Sequence, residues 1–433
     1  MEEILREASK VAEQAEVFAF ESEETPVSFE ANRLKLLQTR QEKGLALRIV
    51  KNGRIGLTAT TRRPDPRAMV ARAVELAQFG TEAKFELPGR VEYPVVETFD
   101  PAVADLSAER LIEMGRNIID ALVSYNGDLA CEVSLSKEVL TVRVLNTQGG
   151  EATYKKSVLS IGFEGTLIRG TDMLFIGDGD SSCHLIENYM DLAQTGIRQL
   201  RLAENTAKVA TGSMPVVFTP YGVASALLAP LRVAFNGRLV LQGSSPLVGR
   251  QGQRLFHPTF SLWDDAALSY RPSSASCDDE GMPRRRVSLV ENGVIGEFLY
   301  DLQTAGLAGT TSTGSAARSL ETLPSPATSN LVIAEGDVPF DDIVAGIKEG
   351  LVVEHLMGAS QGNTLGGEFS GNVLLGYKVE NGRLIGRVKD TMVSGNIYEA
   401  LKNVAAMSKE SRWVGSLRTP AICCTGLSVA ARS

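Results

Sequence analysis

The chain has 433 residues, of which 43% are hydrophobic and 22% are charged, and this composition is typical of a globular protein with two or three domains. Its formal net charge of -8 and its pI near 5.3 argue against a nucleic-acid-binding surface. No apolar run approaches the roughly 18 residues of a transmembrane helix, and residues 1–10 are typical of an acidic amphipathic helix and not of a signal peptide.

The first predicted unit spans residues 1–101. It begins with a helix from Glu2 to Gln14, because apolar residues recur there with the helical period. Strands follow, and residues 46–61 are typical of a hairpin whose turn is Asn52-Gly53, the pair that type I′ turns favour. A helix that starts at Pro66 and a linker broken by prolines complete the unit.

The second predicted unit spans residues 102–210. A helix capped by Ser107 has one apolar stripe and ends near Tyr125, strands follow to about Phe175, and another helix covers His184 to Glu204. Both units therefore have the order helix, strands, helix. This shared order suggests an internal structural duplication, although the residues do not match position by position.

A buried strand that continues into a buried helix opens the third unit, residues 211–433. Thr219 is the expected N-cap, Pro220 occupies the first helical position, and Pro230 is expected to kink the helix. The helix is apolar almost all round, which predicts that it lies in a core. It carries no His, Cys, Asp or Glu, so it offers no group for acid-base or metal chemistry.

The rest of the third unit is rich in predicted strands. Asn292-Gly293 and Asn381-Gly382 repeat the hairpin signal of the first unit. Two helices are predicted, at residues 341–357 and 397–407, and the chain closes with a strand at residues 420–430. The predicted fold class is α+β, with N-terminal α/β units followed by a strand-rich C-terminal domain.

The three histidines lie far apart and lack the spacing of a zinc hydrolase motif. His355 is predicted in the last turn of a helix, where a structural role at the negative dipole end is favoured. His184 is also interpreted as structural. His257 is the best catalytic candidate of the three.

The acidic run Asp278-Asp279-Glu280 could hold a cation, but a turn between strands is the favoured interpretation. Cys277 is a possible nucleophile whose thiolate these negative neighbours should disfavour. The cysteines are odd in number, scattered and without metal-ligand spacing, so we expect free thiols in a reducing cytoplasm. They are Cys131, Cys183, Cys277, Cys423 and Cys424.

Two polar stretches resemble ligand loops without matching them. Asp178 and Asp180 are placed as in a calcium loop, but Cys183 and Tyr189 stand where such a loop needs glycine and glutamate. Residues 306–319 are rich in Gly, Ser and Thr but lack the ending of a phosphate-binding P-loop. A mobile loop or a lining of a substrate channel is favoured there.

The densest group of glycine and polar residues is GNTLGGEFSGN, residues 362–372. Its glycines permit close backbone approach, and Asn363, Glu368 and Ser370 offer polar groups. The stretch would therefore suit binding of an extended peptide main chain. A glycine-rich turn between core strands explains it equally well, and both interpretations stay open.

Several stretches together resemble the TldD/PmbA family, which is also described as modulators of DNA gyrase. They include GGEFSGNVLLGYKVENGRLIG, SGNIYEALKNV, TPAICCTGLSVA and DDEGMPRRRVSLVENGVIGEFLYD. The likeness runs from about Ala15 to the C-terminus. It implies a cytosolic, dimeric α+β protein connected with proteolysis and peptide maturation.

The TldD branch of this family has an HExxxH zinc motif on the helix that opens the third unit. Matching the paired leucines puts Ala229, Pro230 and Ala234 at the three positions, and a slip of one residue puts Leu228, Ala229 and Val233 there. None can bind a metal. The resemblance therefore implies the PmbA/TldE-like branch, with no metal and no cofactor of its own.

The resemblance implies a subunit that pairs with a TldD-like zinc protease, or with itself, and helps to bind or position a peptide. Gly367, Glu368 and Ser370 match the family's glycine-acid-aromatic-serine stretch and are the expected substrate-binding residues. No catalytic residue is assigned.

Two other classes of function stay open. One is a free-standing, homodimeric hydrolase that uses Cys277, His257 or the pair Asp278 and Asp279. The other is a protein-binding modulator without enzymatic activity.

Overall fold

The computed structural model describes residues 1–431. The helices are α1 (Glu2–Ala8), α2 (Pro66–Ala77), α3 (Pro101–Ala104), α4 (Ala108–Tyr125), α5 (Met190–Leu202), α6 (Pro220–Ala234), α7 (Gly237–Leu241), α8 (Leu302–Ala308), α9 (Phe340–Ala345) and α10 (Ile397–Lys402). No helix within these residues is long and apolar enough to cross a membrane.

The N-terminal part of the chain forms one seven-stranded sheet with the order β4-β3-β1-β5-β6-β7 and with β2 beside β1. Its strands are β1 (Gln14–Glu30), β2 (Arg33–Leu37), β3 (Arg40–Lys51), β4 (Arg54–Thr60), β5 (Ala130–Asn146), β6 (Glu151–Arg169) and β7 (Asp172–Ser182). Strands β1, β3 and β4 from residues 1–101 meet β5, β6 and β7 from residues 102–210 where β1 pairs antiparallel with β5. Each half thus supplies an antiparallel meander followed by a helix.

The C-terminal part is built around a closed ring of strands. Strands β20, β18, β16, β15 and β8 are neighbours in that order, and β20 also pairs with β8, so the ring closes into a barrel. Strands β14, β9, β10 and β11 extend the sheet from β20. The strands are β8 (Gly212–Phe218), β9 (Leu262–Asp265), β10 (Arg286–Glu291), β11 (Val294–Ile295), β12 (Ala316–Ala317), β13 (Ser325–Pro326), β14 (Leu331–Ile333), β15 (Glu349–Met357), β16 (Glu368–Glu380), β17 (Arg383–Arg387), β18 (Thr391–Asn396), β19 (Val404–Val414) and β20 (Leu417–Ala431).

The predicted fold class is confirmed, and several elements follow from local sequence. The apolar stripe of α4 is buried, as its spacing predicts. At all three Asn-Gly turns both residues have positive φ, as a type I′ turn requires. These φ values are 50° and 69° at Asn52-Gly53, 48° and 80° at Asn292-Gly293, and 49° and 76° at Asn381-Gly382.

Helix α6 is the element that the sequence predicts best. It begins at Pro220 after the N-cap Thr219, whose hydroxyl accepts a hydrogen bond from the Gly222 N–H, and Pro230 lies inside it. Its apolar side chains join the core of the C-terminal part, which also contains side chains from β8, β15 and β20. The predicted buried strand and helix are therefore confirmed.

The helix predicted at residues 341–357 is wrong. The structure has the short helix α9 followed by strand β15, which lies between β8 and β16 in the barrel. Gly346 ends α9, and the apolar run Leu351 to Val353 is completely or almost completely buried. A run that is buried on both faces has no period of two, and its sequence does not distinguish strand from helix.

Three further predicted helices differ in length from the structure. Helix α1 ends at Ala8 and not at Gln14, and α5 starts at Met190 and not at His184. Helix α10 ends at Lys402, where the prediction reached Met407. In each case the helix itself is confirmed and one of its ends is wrong.

Candidate functional site

A cleft of about 470 Å³ lies between the N-terminal sheet and the barrel. Strands β5, β6 and β7 form one wall, and the first turn of α6 together with β15 and β16 forms the other. It is lined by Glu132, Ser134, Gly162, Phe163, Glu164, Phe175, Ile176, Gly177, Asp178, Gly179, Tyr221, His355 and Leu374. A second depression of about 510 Å³ shares four of these residues, so the two adjoin.

Tyr221 marks the point where α6 meets the N-terminal sheet. The capped start of the helix holds this tyrosine in the first turn. Its hydroxyl donates to Asp178 Oδ1 at 2.7 Å and accepts from the Gly179 N–H at 2.8 Å. Burial and the neighbouring Asp178 carboxylate raise the pKa of Tyr221, so the hydroxyl keeps its proton.

Asp178 is the acidic centre of the cleft. Its side chain is fully buried, and Oδ1 accepts from the Arg412 guanidinium as well as from Tyr221. The other oxygen, Oδ2, is buried without a hydrogen-bond partner. An unpaired oxygen of a buried carboxylate is costly unless water or a ligand completes its hydrogen bonding.

His355 lies in strand β15 beside Tyr221, with 4.7 Å between the ring centroids. The prediction that it ends a helix is wrong, so no helix dipole acts on it. Burial lowers the pKa of His355 to about 4, and the imidazole is therefore neutral near pH 7. Its Nε2 atom is buried and has no hydrogen-bond partner.

The other two histidines lie elsewhere and have different partners. His184 Nδ1 lies 2.5 Å from Asp100 Oδ2, on a half-exposed loop. His257 Nδ1 lies 2.8 Å from Thr259 Oγ1. The structure therefore does not gather the histidines into one site.

The acidic run at residues 278–280 is a turn, but it is buried. Asp278 accepts from the Ala316 N–H at 3.0 Å, and Asp279 accepts from the Arg318 N–H at 3.0 Å. Burial raises the pKa of Asp278 to about 6 and that of Glu280 to about 8. The backbone N–H groups of the Gly/Ser/Thr-rich stretch thus bind these carboxylates and do not form an open phosphate cradle.

An ionic cluster extends this turn to the N-terminal sheet. Arg48 donates to Glu16 at 2.8 Å and to Glu280 at 2.6 Å, and Arg318 donates to the other oxygen of Glu16 at 2.8 Å. These four side chains are at most 3% exposed. Arginine guanidinium groups therefore face both buried carboxyl groups, Glu16 and Glu280.

Cys277 lies beside this cluster and is 1% exposed. Burial, with the Asp278 carboxylate adding to it, raises the pKa of the Cys277 thiol to about 12. This agrees with the expectation that acidic neighbours disfavour the thiolate, and it makes Cys277 a poor nucleophile.

Of the three expected substrate-binding residues, Gly367 directly precedes β16, and Glu368 and Ser370 lie at its start. Gly367 is buried with φ of 77°, and a Cβ there would come within 2.4 Å of the Tyr398 ring, so a glycine is needed. Glu368 and Ser370 are exposed on the outer face of the strand. Residues 358–367 connect β15 with β16, which is the turn that one of the two sequence interpretations predicts.

Strand β16 links these residues to the cleft. Side chains alternate along a strand, so Glu368, Ser370, Asn372 and Leu374 share one face. Leu374 lines the cleft. At a rise of about 3.3 Å per residue, this face runs for ~20 Å from Glu368 to the cleft, which is enough for an extended peptide of about six residues.

Two family models match the chain. One, described as the PmbA/TldA metallopeptidase C-terminal domain, matches residues 211–431, and the other, described as PmbA/TldA metallopeptidase domain 1, matches residues 15–77. The chain belongs to the PmbA/TldD metallopeptidase family. This confirms the resemblance that the sequence motifs indicate.

Relatives in the PmbA/TldD family match most of the chain. An uncharacterized protein from Methanocaldococcus jannaschii is 27% identical over 429 residues, which is 98% of both chains. A metalloprotease from Methanothermobacter thermautotrophicus is 24% identical and covers 94% of this chain and 91% of its own. A metalloprotease TldD homolog from Haemophilus influenzae is 26% identical and covers 85% and 73%.

Solved structures share the fold. TldE from Thermococcus kodakarensis superposes with a TM-score of 0.89 at 24% identity, with 100% of both chains covered. A Thermotoga maritima protein described as a candidate modulator of a DNA gyrase superposes with a TM-score of 0.88 at 21% identity, with 96% of both covered. At these identities the match establishes the fold alone.

The PmbA/TldD resemblance allows a test of whether α6 fits a zinc ion. Of the first set of positions, Pro230 and Ala234 are buried, whereas Leu228, Ala229 and Val233 of the shifted set are all half-exposed. The shifted set therefore lies where metal ligands could reach a substrate, but its side chains have no donor atom. Within residues 1–431, no three His, Cys, Asp or Glu side chains converge as metal ligands would. The residues do not fit the ion.

The sequence did not single out Tyr221, Arg412 or Asp178 as one site. Asp178 belongs only to the incomplete calcium-loop pattern, and Tyr221 and Arg412 lie in segments without a motif. Asp178 and Arg412 are separated by 234 residues, and only the folded chain brings them together. The one usable signal was the N-cap that fixes the start of α6.

Proposed function

We propose that this chain is a TldE-like subunit of a cytoplasmic metalloprotease, in which a TldD-like partner holds the zinc ion and this chain binds and positions the peptide. One observation carries the proposal. In either alignment, the positions of α6 that match the zinc motif of the TldD branch have side chains that cannot coordinate a metal: Ala229, Pro230 and Ala234, or Leu228, Ala229 and Val233.

The outer face of α6 supports contact with a partner. Tyr221, Ser225, Leu228 and Arg232 follow the helical spacing i, i+4, i+7 and i+11; the first three are partly buried and Arg232 is exposed. Most of this stripe is uncharged, and it begins at the cleft. A partner that covers it would place its own reactive centre next to the cleft and the exposed face of β16.

The contribution of this chain to catalysis would be positioning. An extended peptide on the outer face of β16 would lie near Glu368 and Ser370, and its end would reach the cleft. Holding the peptide in one orientation lowers the entropic barrier of a reaction carried out by a partner. Covering the site with a second subunit would also exclude water.

The test uses the purified full-length chain, a TldD-like chain from the same source, and an equimolar mixture. Zinc content and cleavage of an unstructured peptide are measured for each. We expect cleavage to be greatest in the mixture, to require zinc, and to be absent from this chain alone. Stoichiometric zinc in the isolated chain, or chelator-resistant cleavage by it, would overturn the proposal.

A matched pair of variants tests the α6 surface. Ala229→Arg adds bulk and charge at a half-exposed position of α6, whereas Ala71→Arg makes the same change on the exposed face of α2. We expect A229R to weaken association with the partner and to lower activity of the mixture. A71R should leave both unchanged. Equal behaviour of the two variants would refute a role for this face.

The free-standing hydrolase has less support in the geometry. Cys277 is buried with a raised thiol pKa, and the carboxylates of Asp278 and Asp279 accept backbone hydrogen bonds. His257 is bonded to Thr259 and lies apart from both. The other alternative is a protein-binding modulator without enzymatic function. It would be favoured if the two chains associate but their mixture does not cleave the peptide.

A further inference from the structure

A row of side chains crosses the outer face of the barrel at Asn372. Met357 on β15 and Met392 on β18 are the direct cross-strand partners of Asn372 on either side, and Ala430 on β20 is the next partner along the row. Direct partners in an antiparallel pair present their side chains on the same face. Met357 is 55% exposed and Met392 is 41% exposed, and Asn372 and Ala430 are exposed as well. The whole row therefore faces solvent.

The side chains around this row are almost all uncharged. Ser370 lies two residues from Asn372 on β16, its cross-strand partner on β18 is Ser394, and the next partner on β20 is Ser428. Of the side chains named on this face, only Glu368 at the start of β16 carries a charge. Such a surface favours an uncharged ligand, because a charged group placed against it would lose water without gaining a partner of opposite charge.

The centre of this face differs in chemistry from its two sides. The hydroxyl of Ser370 and the amide of Asn372 are exposed on β16, and within residues 1–431 neither makes a side-chain hydrogen bond. Both groups are able to donate to a ligand and to accept from it. The methionines lie one strand to either side, at the usual strand separation of about 4.8 Å. Polar groups thus lie along the central strand, and an apolar side chain stands on each side of Asn372.

An extended peptide laid along β16 matches this arrangement. In an extended chain the N–H and C=O groups point at right angles to the side chains, and both patterns repeat every two residues, or about every 7 Å. When the amide groups of the peptide point at β16, they recur with the spacing of Ser370 and Asn372. The side chains of the peptide then point alternately towards β15 and towards β18. Two consecutive side chains would therefore meet Met357 and Met392.

We propose that Met357 and Met392 select peptides that carry two consecutive apolar residues, while Ser370 and Asn372 bind the main chain between them. The proposal rests on the proposed function in taking the ligand of this face to be a peptide. Methionine side chains are flexible and polarizable, so the pair would accept apolar side chains of different shapes. The two methionines would thus determine specificity without taking part in the chemical step.

The first experiment measures binding of fluorescent peptides to the purified full-length chain. Four peptides share one polar, uncharged sequence and differ at two adjacent positions, which are Leu-Leu, Leu-Asn, Asn-Leu or Asn-Asn. We expect the Leu-Leu peptide to bind most tightly and each replacement to weaken binding by about tenfold, because one apolar contact with a methionine is lost. Equal affinity for the four peptides, or no binding by the chain, would overturn the proposal.

Charge variants separate the two methionines. Met357→Glu and Met392→Glu are compared with Leu34→Glu, a similar change at a side chain that is 41% exposed on β2 of the N-terminal sheet. Two further peptides carry Lys-Leu and Leu-Lys at the adjacent positions. We expect each methionine variant to prefer lysine to leucine at one position, and the two variants to act at different positions. Leu34→Glu should keep the preference for Leu-Leu.

The opposite results are equally clear. A change of preference at the same position in both methionine variants, or equal weakening of all peptides, would contradict the arrangement. If the variants weaken association with a TldD-like chain and leave the peptide preference unchanged, this face is a contact between subunits and the proposal is overturned.

The mixture with a TldD-like chain distinguishes this inference from the proposed function. If the mixture cleaves the four peptides with the same KM, the proposed function stands and this inference fails. If the isolated chain prefers the Leu-Leu peptide as expected but the mixture is inactive, the inference stands and the proposed function fails.

Discussion

Replacing Arg48 by methionine tests how the buried ionic cluster holds the molecule together. The side chain is 3% exposed and donates to Glu16 and Glu280, which are both fully buried. Removing one partner from a buried ion pair costs about 3–5 kcal/mol, because a charge is left unpaired in a medium of low dielectric constant. Glu16 keeps its bond to Arg318, so the larger loss falls on Glu280.

The loss of folding stability caused by Arg48→Met should depend on pH. Burial raises the pKa of Glu280 to about 8, and Arg48 opposes that rise, so the pKa becomes higher still when Arg48 is removed. An acid whose pKa is raised by folding destabilises the folded state as pH rises from the unfolded pKa to the folded one. At pH 6 the protonated Glu280 needs no cation, and we expect a loss of only about 1–3 kcal/mol. At pH 9, about one unit above that pKa, we expect the loss to be larger by up to about 1.4 kcal/mol.

The assay is urea denaturation of the wild type and of Arg48→Met at pH 6, 7.5 and 9. The double variant Arg48→Met/Glu280→Gln provides the control, because it removes the uncompensated charge together with its partner. We expect it to recover most of the loss at pH 9. A deficit that does not change with pH, or a double variant no more stable than Arg48→Met, would refute the reasoning.

Three other changes test local features. Gly367→Ala should lower the free energy of unfolding by about 1–3 kcal/mol, since its Cβ would clash with the Tyr398 ring. Gly170 also has a positive φ but has open space around it, so Gly170→Ala should lower it by only about 1 kcal/mol. Chemical denaturation measures both losses. Leu227→Ala in α6 removes a fully buried side chain and should lower the free energy of unfolding by about 2–5 kcal/mol. Leu228→Ala, at a partly buried position, should lower it clearly less. Equal losses would contradict the burial of this face of α6. Cys277 should not react with a thiol reagent in the native protein at pH 8 and should react once the protein is unfolded; rapid native labelling at Cys277 would contradict its burial.

Local chemistry explains the elements that the sequence predicts. The Asn-Gly pairs need positive φ at both positions, and only a few residue types adopt it without strain. The start of α6 likewise depends on one capping side chain and one proline. Such signals lie within a few residues of each other, so they can be read before the tertiary structure is known.

Long-range contacts explain what the sequence could not predict. Residues 351–353 form a strand because β8 and β16 lie on either side, and neither neighbour is apparent from the run itself. The acidic turn is buried because Arg48 is brought from 232 residues away to neutralise Glu280. The polar stretch and the resemblance both point to Glu368 and Ser370, but the sequence does not show that their face of β16 continues to the cleft, since this depends on which face of the strand is exposed.

Several charge pairs join the N-terminal sheet to the C-terminal part. Glu16 and Arg48 on the sheet pair with Arg318 and Glu280, and at β7 Asp178 pairs with Arg412. Asp172, also on β7, pairs with Arg387 of β17 at 2.5 Å.

Ion pairs of this kind add little net stability when formed, but they penalise any arrangement in which a partner is missing. We infer that they fix the sheet and the barrel in one relative orientation. The cleft between the two is then present before a ligand arrives. Binding there would not require the domains to close, and less of the interaction free energy would be lost to ordering.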